Sequence, residues 1–101
     1  MPLRWQQGLI AAALAALFSG CASPPPVQEM SDARQAIMAA EDAGAEEHAA
    51  VALTAAHTFM ERAEAKLTER DFRGARDDAV TAHSRAVEAR VIARSRVARS
   101  N

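Results

Sequence analysis

The chain has 101 residues, a formal net charge of −1 and 50% apolar residues, of which few are aromatic and only one is cysteine. That length allows one small domain. The single thiol excludes an internal disulfide or a thiolate-rich metal centre, and the near-neutral charge without aromatic interleaving argues against nucleic acid.

The first twenty residues follow the plan of a secretory signal. Arg4 and the α-amino group form a positive start, residues 8–18 an apolar run, and Ser19 and Gly20 a small-residue cleavage site before Cys21. Eleven residues of helix span about 16 Å against a hydrocarbon core of about 30 Å, so a permanent transmembrane helix is not expected. Phe18-Ser19-Gly20-Cys21 resembles the lipobox of bacterial lipoproteins. Phe18 stands where that family commonly has Leu, with Leu17 just before it. The resemblance implies cleavage between Gly20 and Cys21, with a diacylglycerol and an N-acyl chain on Cys21 and no other cofactor. Such an anchor is stable, at about 0.8 kcal/mol per buried methylene. Ala22 follows the cysteine where Asp would favour the inner membrane, so the resemblance implies the periplasmic face of the outer membrane. The alternative is an ordinary signal peptide whose cysteine is incidental.

Residues 21–29 are expected to form the lipidated N-terminus and a spacer. Pro24-Pro25-Pro26 favours polyproline II, semi-rigid at about 3.1 Å per residue, which would lift the folded part off the headgroups or merely stop a helix from starting early. From residue 30 onward there is no proline, no strand-like alternation, and mostly strong helix formers. The fold class expected over residues 30–101 is all-α: an antiparallel helical hairpin, about 46–70 and 72–99, with a short preceding helix at about 32–43.

In that first helix Met30, Ala33, Ile37, Ala40 and Gly44 step by three and four. Ser31 is its expected N-cap, Asp32 lies in its first turn, and Gly44 is its stop. The second helix begins around Glu46 and Glu47, with Ala49, Leu53, Ala56, Met60, Ala63 and Leu67 as its seam. The third follows Asp71, a good N-cap, with Ala75, Ala79, Ala82, Ala86, Ala89 and Ala93 as its seam. Both repeat at heptad spacing. Folded back at Asp71, each seam residue faces a partner in the other helix, and the acidic start of one lies beside the basic end of the other. An alanine face would let the backbones approach to the close end of the roughly 8–10 Å range. Val80, Val87, Val91 and Ile92 lie off this seam, where they would receive the first helix or another molecule. So alanine-rich a core is thin at about 25 cal/mol per Å² of apolar area.

The lipobox at Cys21, the proline run, Gly44-Ala45 and the stretch from Ala63 to Ala79 together resemble bacterial lipoproteins with an alanine-rich helical domain of unknown function. Relatives sometimes carry that domain ahead of an OmpA-like peptidoglycan-binding domain. None lies within these residues, so direct peptidoglycan binding is not expected. Leu67 and Asp71-Phe72-Arg73-Gly74-Ala75 are similar to the junction within a single tetratricopeptide repeat, without further copies.

Little here points to chemistry. His48, His57 and His83 do not share a helix face at ligand spacing and read as surface residues. Glu46-Glu47 and Asp77-Asp78 are helix neighbours that point to different faces. No phosphate loop or nucleophile motif is present, so neither an enzyme nor a small-molecule site is expected. Arg90, Arg94, Arg96 and Arg99 are the candidate interaction residues. They either complement a helix C-terminus and solvate an alanine-rich surface, or contact anionic lipid or an acidic protein. The function expected is a membrane-anchored structural or interaction module of the envelope, self-associating or bound to an envelope protein. The alternative is a periplasmic adaptor that docks a complex through its helical face or arginine-rich end.

Overall fold

The structure is a computed structural model and describes residues 23–101. Four helices follow one another: α1 (Val27–Asp42), α2 (Ala45–His48), α3 (Ala50–Thr68) and α4 (Phe72–Ser100). There is no strand among the described residues. The all-α class and the hairpin of two long helices are as expected. α3 runs antiparallel to α4, and α1 packs against both, antiparallel to α3 and parallel to α4. The sense of α1 follows from its contacts: Glu29 meets Arg76 near the start of α4, and Gly44 lies beside Val97 near its end.

The seam of α4 is complete, for Ala75, Ala79, Ala82, Ala86, Ala89 and Ala93 are all fully buried. Ala49, which caps α3, and Leu53, Ala56, Met60 and Ala63 within it are buried, while Leu67, beside the hairpin turn, is half-buried. Lys66 reaches Asp78 and Arg96 reaches the carbonyl of His48. Both pairs are centred on residue 72, one place from the mirror point expected. α1 supplies Met30, Ala33, Ile37 and Ala40 to the same core, as its stripe predicts. Met30, Ile37, Leu53 and Met60 are the large apolar side chains buried in the helices.

α1 begins earlier than expected. Its N-cap is Pro26, and the first helical bond runs from Met30 N to the Pro26 carbonyl at 3.0 Å. Ser31 is therefore not a cap. It sits a turn inside the helix and accepts from Gln35 Nε2, and Glu29, not Asp32, is the first-turn acid. The reason is the proline run. Each proline holds the residue before it out of the helical region, and the helix starts as soon as that restriction ends. Residues 27–29 accordingly belong to the helical body, not to the spacer.

The helix stops where glycine allows it. Gly44 has φ +91°, which an L side chain adopts only with strain. Beyond it the chain differs from the expected start of a long helix at residue 46. α2 makes a single turn, Ala49 departs to φ −147°, and α3 begins at Ala50. The break bends the chain so that Ala45 and Ala49 both face the core.

The hairpin turn is a Schellman motif. Asp71 N donates to the Lys66 carbonyl at 2.9 Å and Arg70 N to that of Leu67 at 3.0 Å. The left-handed position, usually glycine, is Arg70 at φ 63°. Asp71 then caps α4, its Oδ1 accepting from Gly74 N at 3.0 Å. A Cβ on Gly74 would lie 2.3 Å from Asp71 Oδ2, so a side chain there would displace the capping carboxylate.

Two outcomes test this packing. Ala82→Leu should overpack the seam and lower stability by about 1–3 kcal/mol, read by thermal unfolding against Thr54→Leu on the exposed face of α3. Unchanged melting would mean that the helices do not approach as closely as described. Asp71→Ala and Gly74→Ala should each cost about 1 kcal/mol. They disrupt one cap, so the double variant should cost little more than either alone.

Candidate functional site

The body offers surfaces, not a cleft. Its grooves are shallow and lined by alanine, valine and scattered charges, as at Ala39, Asp42, Arg90 and Arg94 between α1 and α4. Among the described residues no group of three or more His, Cys, Asp or Glu side chains could hold a metal ion. No described helix is long and apolar enough to cross a membrane. Cys21, Gly20 and the apolar run before them lie outside the described residues.

The paired acids separate as helix geometry requires. Asp77 is exposed, and Asp78 turns inward beside the seam. Lys66 Nζ stands 2.7 Å from Asp78 Oδ2, an ion pair between a half-buried ammonium and a buried carboxylate. Among the described residues Oδ2 has no other donor. The pair ties α3 to α4 near the hairpin turn. Glu46 and Glu47 are both exposed.

The histidines divide between surface and corner. His57 and His83 are exposed, and His57 Nε2 lies 3.5 Å from Glu41 Oε1 on α1. His48 is half-buried in the corner, 3.7 Å from Glu47.

The four candidate arginines do not act as one patch. Arg96 donates to the His48 carbonyl, which the break at Ala49 leaves without its usual helical partner. That arginine is a structural cap for α2. Arg90 and Arg94 flank a groove with Asp42, and Arg99 is exposed in the last turn. Among the described residues no carboxylate lies within ion-pairing distance of Arg90, Arg94 or Arg99.

One arginine outside that set organises the N-terminal end. Arg76 Nε donates to Glu29 Oε1 at 3.1 Å, and its Nη2 donates to the Pro24 carbonyl at 2.9 Å. Pro26 is fully buried. The proline run is thus fastened to the helices at both ends, through the Pro24 carbonyl and the buried Pro26. Position alone conceals this role in the sequence, because Arg76 follows a seam alanine and meets α1 only after the bundle closes.

The sequence that builds these surfaces matches a known family. A family model described as Domain of unknown function (DUF4398) matches residues 28–101. The chain belongs to the DUF4398 family. The match takes in all of α2, α3 and α4 and all but the first residue of α1, so the bundle is the DUF4398 domain. No curated protein and no solved structure matches the chain.

Removing Lys66 while keeping Asp78 should expose the cost of the buried carboxylate. Lys66→Met is expected to lose on the order of 1–3 kcal/mol in denaturant unfolding, discounted for the half-buried lysine. Lys66→Met with Asp78→Leu should recover much of that loss. A double variant as unstable as the single one would assign the loss to packing.

Proposed function

We propose that this DUF4398 protein is a bacterial envelope lipoprotein, anchored by a diacylglycerol and an N-acyl chain on Cys21. Its helical bundle is a non-enzymatic structural or interaction module on the periplasmic face of the outer membrane. The observation that carries this reading is the only cysteine of the chain, placed after Phe18-Ser19-Gly20 at the end of an apolar run. Ala22 supports the outer membrane over the inner.

The bundle supports the reading through its polarity. Pro24 is held by Arg76, so an anchor at Cys21 would be three residues, about 10 Å of chain, from the pole where α4 begins. α1 runs parallel to α4, which puts the arginine-rich end at the other pole. Arg94 and Arg99 lie about 27 and 35 Å along the helix from Arg76. In an upright bundle those arginines face away from the headgroups, which favours a protein contact over a lipid one. A second reading, an adaptor that docks an envelope complex through this end, is favoured by the exposure of Arg99, which has no carboxylate within ion-pairing distance among the described residues.

The test is the intact mass of detergent-extracted protein from a Gram-negative host. The wild-type chain should begin at Cys21, contain 81 of the 101 residues and carry the mass of three acyl chains. Cys21→Ser should lack that lipid mass and lose the anchor. A wild-type mature chain without lipid mass would sink the anchor. Membrane fractionation by density then decides between outer and inner membrane.

A further inference from the structure

Val80, Val87 and Val91 remain 50%, 45% and 62% exposed after all four helices have packed. With Ser84 they form a line along α4 at steps of four, three and four, directed away from α3. α1 does not cover it. Val87 instead lines an open groove of about 300 Å³ with the half-buried Ala36 and Ala39 of α1. The same step continues at both ends of the line into exposed charges, Asp77 before Val80 and Arg94 after Val91. Neither is ion-paired among the described residues, and 17 residues of helix, about 25 Å, keep them from each other.

The line is self-complementary. A two-fold axis across α4 midway between Ser84 and Val87 sets Val80 against Val91 of a second copy, and Ser84 against Val87. The same operation sets Asp77 against Arg94 of the second copy, twice in each pair. We propose that this face of α4 is a homodimer interface, occupied by α4 of a second copy running antiparallel. A two-fold interface requires a patch that matches itself, and here the apolar centre and the opposite charges at its ends both do so. The other charges agree with the pairing. Arg85 is held by Glu88 of its own helix at 3.1 Å and adds no uncompensated repulsion near the axis. Three valines from each chain make a small contact, so capture in the cell suits it better than equilibrium sizing. The pairing names a partner for the module proposed above and uses nothing of Cys21.

The experiment uses the full chain in living cells. A photoreactive residue at Ser84 should give an adduct of twice the chain mass, and one at Thr54 on α3 should not. Asp77→Arg and Arg94→Asp, each expressed alone, set like charges across the axis. Each should reduce co-capture of two tagged copies by roughly tenfold. One tagged copy carrying Asp77→Arg and the other Arg94→Asp should restore it, because both end pairs are then opposite in charge. Restoration between chains excludes simple loss of folding. An adduct only with a different protein, no adduct, or no gain from the mixed pair would overturn the dimer. A missing lipid mass on Cys21 would leave this result unchanged.

Discussion

Six buried alanines on one face of α4 set the distance between its backbone and the rest of the bundle. With nothing beyond Cβ on that face, α3 and α1 approach closely, and dispersion between near backbones replaces the large side chains a thicker core would use. The consequences spread through the molecule. Each alanine removes little apolar area, so the bundle relies on an uninterrupted seam and on Met30, Ile37, Leu53 and Met60 at its margin. The hairpin turn must also be tight. A Schellman motif and an aspartate cap follow one another within a few residues, and Arg70 takes a left-handed conformation usually left to glycine.

The features legible in the sequence were those fixed by spacing. The seams repeat at three and four residues on both sides of Asp71, and a strong N-cap there brings the expected pairing to within one residue of the observed one. The departures arose where two local preferences competed. Ser31 favours a cap, but Pro26 already frees the chain to turn helical, and a helix forms as early as it can. At Ala49 nothing local signals a break. The alanine is a good helix former, and the bend serves the burial of Ala45 and Ala49 together. The donor that tolerates it, Arg96, lies on another helix.

The candidate site was less legible for a related reason. Arginines near a helix end look alike in a sequence, yet the structure gives Arg96 a capping role and leaves Arg99 exposed. Asp78 and Lys66 carry no motif, and only the register of the hairpin makes them partners. A domain built on alanine also has few ways to enclose a ligand. Its information lies in which residues it leaves outside, and the exposed valines of α4 weigh most there because the alanine seam of the same helix is fully buried.

The clamp of Arg76 on Pro24 and Glu29 decides how the bundle would respond to force. A pull on the N-terminal segment, resisted at the far end of α4, would draw two parallel helices along each other. The load would fall on the whole α1 stripe from Met30 to Ala40 at once, not on one contact after another as in peeling. A thin core is weak against sequential opening, but in shear its strength is the sum of its length. The same fastening that shortens the proline spacer would thus leave the bundle stiffer along its axis than across it.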